Sequence, residues 1–304
     1  MWQDDVRRVA LRIRRRVFEH TMKNNGGYLS QACSSADFLA TLYLKVLNLG
    51  PSIAPPIPRP FAGPPSADNP NSFTGAGYHG EKRSDLDRFI ISPAQYALVI
   101  YAALIETGRM DPKGLEMFNQ DGSSVEMIGA EHSPGMEVTT GSLGQGLSQA
   151  VGIALARKLK HDTGRVWVFM SDGELQEGQT WEAFEVMAFY DLHNMAIIFD
   201  MNAQQCDGEV ESVMPLGSIA DKLRAFGAHV LQVDGHDIDA LAEAGSVVPE
   251  KGPLAILAST NPCCGMPYLE KRRPRLHYVR FKTEDEKHAL EAAIRQQLYQ
   301  ENAL

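Results

Sequence analysis

Four short apolar runs in the second half of the chain constrain its fold more than any other feature of the sequence. Each has the length of a buried strand, and segments of about 10 to 18 residues with helical spacing separate them. Strands of a parallel sheet are buried on both faces and therefore consist of continuous apolar residues. The pattern predicts an α/β fold, with a doubly wound parallel sheet covered by helices on both faces. The four runs are 166–170, 195–199, 229–233 and 253–258.

Two helices are expected before these strands. An amphipathic helix is predicted over residues 3–22, and the break at 24–27 ends it. Acidic residues open this segment and no cleavage site follows it, so we interpret it as a surface helix and not as a targeting peptide. A second helix is expected to begin near Ser34 or Ser35 and to continue to Leu47.

The stretch 51–84, which follows the second helix, is expected to be irregular. Eight prolines fall between Pro51 and Pro70, and proline removes a backbone donor from helices and sheets alike. Structureless loops of this length are uncommon inside compact domains, and they usually serve a function or a partner contact. We interpret the stretch as an excursion within a single domain that spans residues 1–304.

Composition narrows the classes of function. The 304 residues carry a net charge of −9, which argues against a nucleic-acid-binding surface. No apolar run is long enough to span a membrane. The four cysteines have neither metal-site nor disulfide spacing, so a reducing cytoplasm is the expected location.

Polar side chains follow two of the predicted strands. Asp172 and Asn202 lie one strand–helix–strand unit apart, so neighbouring strands can bring both side chains to one ion. Carboxylate and amide oxygens are ligands of hard cations such as magnesium, and they leave positions for phosphate oxygens. The glycine-rich segment 137–146 precedes a predicted helix, whose N-terminus favours anions. Together these features predict a site for a phosphate group and a cation.

Three longer motifs resemble the transketolase family. They are Thr-Thr-Gly-Ser-Leu-Gly-Gln-Gly at 139–146, Ser-Asp-Gly-Glu-Leu-Gln-Glu-Gly-Gln-Thr-Trp-Glu-Ala at 171–183 and Phe-Gly-Ala-His-Val-Leu-Gln-Val-Asp-Gly-His-Asp at 226–237. They occur in the order typical of the family, and the resemblance extends over almost the whole chain. It covers only the N-terminal, diphosphate-binding domain of the family, as in transketolases divided between two chains. The resemblance implies the thiamine-diphosphate-binding fold.

The resemblance also implies which residues bind a cofactor. Thiamine diphosphate would bind together with Mg²⁺, or with Ca²⁺ or Mn²⁺ in its place. The side chains of Asp172 and Asn202 match metal ligands that also form part of the cofactor site, and the backbone carbonyl of Gln204 matches a third metal ligand. The other matching cofactor contacts are Gly141, Leu143 and Gly173.

Three candidate catalytic residues follow from the same resemblance. Glu177 resembles the glutamate that links two active sites across a subunit interface in the family. His277 falls, after a shift of one residue, near a histidine that contacts the diphosphate and the substrate. His132 is expected to replace a further family histidine, within a segment that is shorter than in the family.

Two substrate-contacting histidines of the family are replaced in this sequence. Tyr28 stands at one of the two positions and Gln95 at the other. The family's Lys-Gly-Lys-Gly motif also differs here, as Pro-Cys-Cys-Gly at 262–265. Because such positions bind hydroxyl groups and move protons, we expect an altered donor or acceptor.

The implied activity is transfer of a two-carbon ketol unit from a ketose, expected to be phosphorylated, to an aldehyde acceptor. The glutamate that activates the cofactor lies in the family's pyrimidine-binding domain, which this sequence does not match. We therefore expect a separate pyrimidine-binding subunit in an α2β2 assembly. Two alternatives stay open: delivery of the unit to a carrier or lipoyl group, as in pyruvate dehydrogenase-like relatives, and a non-catalytic regulatory subunit.

Overall fold

A parallel sheet is the centre of the structure, a computed structural model that describes residues 1–64 and 66–300. In chain order, the strands are β1 (Gly26–Gly27), β2 (Arg88–Ile91), β3 (Val166–Ser171), β4 (Met195–Met201), β5 (Gln204–Gln205), β6 (Gly208–Glu209), β7 (His229–Asp234), β8 (Leu254–Ser259) and β9 (Val279–Arg280). The five longer strands form the parallel sheet in the order β2–β3–β4–β8–β7. The short strands pair as β1 with β9 and β5 with β6.

Helices pack on both faces of this sheet. They are α1 (Trp2–Lys23), α2 (Leu29–Thr41), α3 (Ala97–Glu106), α4 (Gln145–Leu159), α5 (Gly178–Phe189), α6 (Val210–Val213), α7 (Ile219–Ala225), α8 (Ile238–Ser246) and α9 (Glu284–Gln300). Trp167 and Phe169 of β3 are buried among residues of α1, α2, α3 and α8, whereas Val168 and Met170 are buried among residues of α4 and α5. Each face of the sheet therefore has its own hydrophobic core, which is why its inner strands are mostly apolar. Among the described residues, no helix combines the length and apolar character needed to cross a membrane.

The four predicted runs are all strands of the sheet, and the doubly wound α/β prediction is confirmed. The sequence does not predict the edge strand β2, which is short and follows the irregular stretch directly. The predicted start of the second helix is wrong, because α2 begins at Leu29 and not near Ser34 or Ser35. The Ser35 hydroxyl donates to the Gln31 carbonyl one turn earlier at 2.5 Å, and the Ser34 hydroxyl lies 3.2 Å from the same oxygen, so both serines lie inside the helix and do not cap it. A π-helical turn, Leu42–Val46, extends this helix.

The proline-rich stretch is irregular as predicted, apart from the 3₁₀ turn Gly75–His79 among its described residues. Backbone hydrogen bonds attach it to the segment between α3 and α4. Asp111 N–H donates to the Pro56 carbonyl, and Phe61 N–H donates to the Gly122 carbonyl, both at 2.8 Å. The stretch is thus packed against the rest of the chain.

Candidate functional site

Two adjacent strands bring the predicted metal ligands to one edge of the sheet. The register between β3 and β4 pairs Ser171 with Asp200. Asp172 follows Ser171 and Asn202 lies just beyond Asp200, so both side chains lie at the carboxyl ends of the strands. Asp172 Oδ2 accepts a hydrogen bond from Ala203 N–H at 2.7 Å, which joins the two strand ends.

The side-chain amide of Asn202 is held in one orientation. Its Nδ2 donates to Tyr96 Oη and to Asp200 Oδ2, both at 3.1 Å. Its Oδ1 accepts from Gln204 N–H at 2.8 Å. Because two buried acceptors fix the nitrogen, Asn202 can offer its oxygen, and not its nitrogen, to a cation.

Asp200 is the buried anchor of this arrangement. Its carboxylate accepts hydrogen bonds from Ser34 Oγ at 2.6 Å, Tyr96 Oη at 2.9 Å and Thr260 Oγ1 at 2.5 Å, in addition to the one from Asn202. Burial raises the pKa of Asp200, although these donors favour its ionised form. Through Ser34 and Thr260, α2 and the end of β8 are fixed to the same site.

Glu174 connects this site with the glycine-rich loop. Its buried carboxylate accepts hydrogen bonds from Gly144 N–H at 3.0 Å, from Ser171 N–H at 2.9 Å and from the Ser92 hydroxyl. Gly144 precedes α4 with a φ of 77°, a conformation that favours glycine. Burial raises the pKa of Glu174. Glu174 is not among the residues predicted from the sequence, although its place in the Asp-Gly-Glu motif is a signal that could have identified it.

A cavity of about 420 Å³ opens between these loops. The predicted site residues that line it are Gln95, Leu143, Asp172, Gly173, Glu177, Asn202, Gln204 and His277. The lining residues that were not predicted are Ser30, Gln31, Pro93, Tyr96, Ser171, Gln176, Gln205 and Cys206. Most of the candidates taken from separate parts of the sequence therefore meet at one cavity.

Two predicted residues lie just behind the lining. The Gly141 carbonyl accepts a hydrogen bond from Gln95 Nε2 at 2.9 Å. Tyr28 packs edge-on against His277, and their ring centroids are 5.5 Å apart. Gly141 and Tyr28 therefore act on the cavity through the two lining side chains that they contact.

His132 is the predicted catalytic residue that the structure leaves away from the cavity lining. It is 8% exposed, and its ring packs against Phe61 of the proline-rich stretch with centroids 4.3 Å apart. Its Nε2 lies 3.3 Å from Glu126 Oε2 without hydrogen-bond geometry. Because His132 does not line the cavity, its catalytic role stays a prediction.

The electrostatics of the cavity favour a cation. Asp172 and Glu177 are acidic, and no lysine or arginine lines the cavity among the described residues. Burial, followed by the negative charge of Asp200, raises the pKa of Asp172 to about 7. A nearby cation would favour the ionised carboxylate, and a donor set made of side-chain and backbone oxygens suits a hard divalent ion. Burial also lowers the pKa of His277, which favours its neutral ring.

These elements define a class of protein. Hard oxygen donors at two strand ends lie beside a glycine-rich loop that leads into the N-terminus of α4. Helix N-termini and backbone N–H groups attract phosphate groups, whose charge a divalent cation neutralises. The arrangement suits an α/β protein that binds a phosphorylated cofactor together with a metal ion.

Comparison with known families gives this class a particular identity. The family model described as "Transketolase, thiamine diphosphate binding domain" matches residues 77–267, which is more than half of the 304 residues. This chain belongs to the transketolase family. The resemblance seen in the three sequence motifs is therefore confirmed.

Two curated relatives are similar over most of their length. The chain is 36% identical over 280 residues to the transketolase family protein y4mO of Sinorhizobium fredii (strain NBRC 101917 / NGR234). This match covers 91% of this chain and 90% of the relative. The chain is 30% identical over 243 residues to the 6-deoxy-6-sulfo-D-fructose transketolase subunit SqwG of Clostridium sp. (strain MSTE9). This match covers 80% of this chain and 78% of the relative.

The fold is also similar to that of solved transketolases. The crystal structure of transketolase from Campylobacter jejuni has a TM-score of 0.71 and 21% sequence identity, and the match covers 99% of this chain but 47% of that one. The chain therefore spans less than half the length of this solved protein. At this identity the similarity concerns the fold alone, and it confirms the predicted α/β architecture.

Proposed function

We propose that this chain is the diphosphate-binding subunit of a heteromeric, thiamine-diphosphate-dependent transferase. The enzyme would move a two-carbon ketol unit from a ketose, expected to be phosphorylated, to an aldehyde acceptor. The observation that carries the proposal is the convergence of eight predicted residues on one cavity at the ends of β3 and β4. Membership of the transketolase family supports the same cofactor and the same class of reaction.

Three residues would hold the metal ion. Asp172 and Asn202 would contribute side-chain oxygens and Gln204 its backbone carbonyl, to Mg²⁺ or to Ca²⁺ or Mn²⁺ in its place. A methyl group added to Gly173 would meet no atom within 4 Å, so the space beside its backbone is open to a diphosphate. Gly141 and Leu143 would complete this part of the cofactor site. Bound thiamine diphosphate would supply the nucleophilic carbon that takes up the two-carbon unit.

The lining of the cavity limits what part of the substrate this chain binds. Its described lining contains amides, a neutral histidine and carboxylates but no lysine or arginine. Gln95 and His277 can hydrogen-bond uncharged hydroxyl groups, and His277 can exchange a proton through its neutral ring. A phosphate group on the substrate would be bound by basic residues of another subunit.

A separate pyrimidine-binding subunit would complete the site in an α2β2 assembly. The relative SqwG is named as a transketolase subunit, and this chain corresponds to less than half of a solved transketolase chain. Glu177 is exposed at the start of α5, beside the cavity, where a neighbouring chain can reach it. We infer that Glu177 lies near the contact between two copies of this chain.

The test is a donor screen with the complex formed by this chain and its cognate pyrimidine-binding subunit. Transfer of a ketol unit from a ketose phosphate to an aldehyde, lost when EDTA removes the metal, would support the proposal. Transfer from pyruvate to a lipoyl group would favour the pyruvate dehydrogenase-like alternative instead. A complex that forms without binding cofactor or turning over any donor would favour a regulatory subunit.

A further inference from the structure

The cavity contains a buried glutamine to which the proposed chemistry assigns no role. Gln31 is 3% exposed and lines the cavity, yet neither its Nε2 nor its Oε1 has a hydrogen-bond partner. Most buried polar groups in proteins are hydrogen-bonded, and an unpaired one costs about 1–3 kcal/mol. Gln31 therefore has both donors and an acceptor available for a ligand.

The backbone of Gln31 is fixed relative to the proposed metal ligands. Gln31 lies in the first turn of α2, its carbonyl accepts a hydrogen bond from the Ser35 hydroxyl, and the Ser34 hydroxyl lies 3.2 Å from the same carbonyl. The Ser34 hydroxyl is also within hydrogen-bond distance of Asp200, whose carboxylate orients Asn202. The side chain thus enters the cavity from a helix that is hydrogen-bonded to the metal-ligand loop.

Three other amides at the cavity are also partly unpaired. Gln95 Oε1, Gln204 Oε1 and Gln205 Nε2 are buried without hydrogen-bond partners. Amides are neutral, and each carries both donors and acceptors, as hydroxyl groups do. A wall of amides without lysine or arginine among its described residues suits an uncharged, hydroxylated part of a ligand.

The ligand of Gln31 must offer both a donor and an acceptor. The oxygens of an ionised diphosphate are acceptors only, and they would leave Oε1 of Gln31 unpaired. A hydroxyketone presents a carbonyl oxygen to Nε2 and a hydroxyl hydrogen to Oε1, so it satisfies both ends of the amide. The donor substrate of the proposed reaction carries such a group, whereas the cofactor's diphosphate does not.

We propose that Gln31 binds the hydroxyketone end of the donor and selects donors with a hydroxyl next to the carbonyl. This inference rests on the proposed function, because it assumes that a two-carbon ketol unit is transferred. It adds a specificity-determining residue on α2 that none of the family motifs contains.

The test uses two donors that differ by a single hydroxyl group, hydroxypyruvate and pyruvate, with glyceraldehyde as the acceptor. With either donor, the bond to the carboxylate carbon breaks and CO₂ leaves without the bonding electron pair. The remaining two-carbon unit uses that pair to form a new bond to the aldehyde carbon, and the aldehyde oxygen takes up a proton from water. The complex with the cognate subunit is prepared as wild type and as Gln31→Met, which keeps the length of the side chain and removes the amide. Gln120→Met, at an exposed position outside the cavity lining, is the matched control.

Wild type is expected to prefer hydroxypyruvate. In Gln31→Met, kcat/KM for hydroxypyruvate should fall about 10- to 100-fold, from the loss of two hydrogen bonds. The kcat/KM for pyruvate should fall less, by about 3- to 10-fold, because pyruvate has the carbonyl but not the hydroxyl and so loses one hydrogen bond. The Kd of thiamine diphosphate should change less than about threefold. Equal losses for both donors, or an equal loss of cofactor affinity, would overturn the inference.

A second variant keeps the test decisive if Gln31→Met does not fold. Gln31→Leu removes both the donor and the acceptor with a shorter apolar side chain, and it should also lower the hydroxypyruvate-to-pyruvate ratio of kcat/KM. Circular dichroism and assembly with the partner verify that each variant is folded. An active wild type with an unchanged ratio in both variants overturns the role of Gln31 alone. A wild-type complex inactive with every ketol donor contradicts the proposed function, and the role of Gln31 with it.

Discussion

Asp172 is the residue through which the cofactor site can be tested most directly. Asp172→Asn keeps the size of the side chain and removes the negative charge that the metal requires. Affinity for thiamine diphosphate and Mg²⁺ should fall by more than about 100-fold in the assembled complex, because a weakly held cation cannot neutralise the diphosphate. Isothermal titration calorimetry measures this affinity. Asp121→Asn, at an exposed position, is the control, and equal affinity in both variants would remove Asp172 from the metal site.

A second prediction at this scale concerns the two replaced histidines. The double variant Tyr28→His, Gln95→His should shift donor preference toward ordinary sugar phosphates by about 1–3 kcal/mol for each recovered hydrogen bond. Because Gln95 lines the cavity and Tyr28 contacts it through His277, Gln95→His should carry most of the shift. The measurement is kcat/KM over a panel of ketose donors. Unchanged ratios would show that these positions do not set specificity.

Individual side chains differ in how far the sequence can predict them. Asp172 and Asn202 could be placed together, because parallel strands end at the same edge of a sheet and each residue follows a strand. Glu174 and Gln31 could not be assigned in the same way. The hydrogen bond from Gly144 to Glu174 and the unpaired amide of Gln31 depend on atoms from distant parts of the chain.

At the level of elements, a buried ion pair joins α1 and α2 to the turn that follows β7. Arg14 Nη1 donates to Asp37 Oδ1 at 3.1 Å, and a second guanidinium nitrogen contacts the other carboxylate oxygen. His236 accepts a hydrogen bond from Asn261 N–H through Nε2, at 2.8 Å, so its ring proton lies on Nδ1 and is donated to Asp37 at 2.7 Å. Although burial opposes ionisation, the charge of Arg14 and the hydrogen bond from His236 lower the pKa of Asp37 to about 2.

Asp37→Asn should therefore destabilise the protein in a pH-dependent way. The buried Arg14 would lose its partner, at a cost of about 3–5 kcal/mol near neutral pH. The folded-state pKa of Asp37 lies below its ordinary value of 3.8, so ionisation of Asp37 stabilises the fold above that value. This contribution, about 2 kcal/mol, is lost as the pH falls toward 2.

Urea titrations of the assembled complex at a fixed protein concentration, between pH 7 and pH 3, test this expectation. The difference in unfolding free energy between wild type and Asp37→Asn should be largest at pH 7 and should narrow below about pH 4. Asp239→Asn, whose exposed side chain accepts a hydrogen bond from Gln3, should change stability by less than about 0.5 kcal/mol. A difference that stays constant over this pH range would contradict the assignment.

Elements were predictable where a periodic pattern was strong. The runs that became β3, β4, β7 and β8 have the length and apolar character of buried strands, whereas β2 has only four residues and begins with Arg88. The start of α2 was misplaced because Tyr28, its N-cap residue, makes no side-chain capping hydrogen bond. Burial of the first turn of α2 determines that boundary, and burial is a property of the folded chain.

At the scale of the whole molecule, the chain presents an open cavity and exposed apolar side chains. Phe189 at the end of α5 is 80% exposed, and Leu159 at the end of α4 is 73% exposed. Glu177, at the other end of α5, is also exposed. Exposed apolar groups of this size favour association with another chain. This surface is consistent with a protein that works as part of an assembly.

The last prediction is that this chain purified alone is inactive. Thiamine diphosphate would lie between this chain and its partner, so the isolated chain should bind the cofactor weakly and show no ketol transfer. It should also self-associate, because the surfaces meant for other chains stay exposed to water. Mixing with the cognate subunit should give an α2β2 assembly by analytical ultracentrifugation, together with turnover that rises in proportion to the complex formed. Asp172→Asn in the same mixture should assemble without turnover. If the chain alone transfers ketol units as fast as the mixture, one of its own glutamates activates the cofactor, and the proposal of a divided enzyme is wrong.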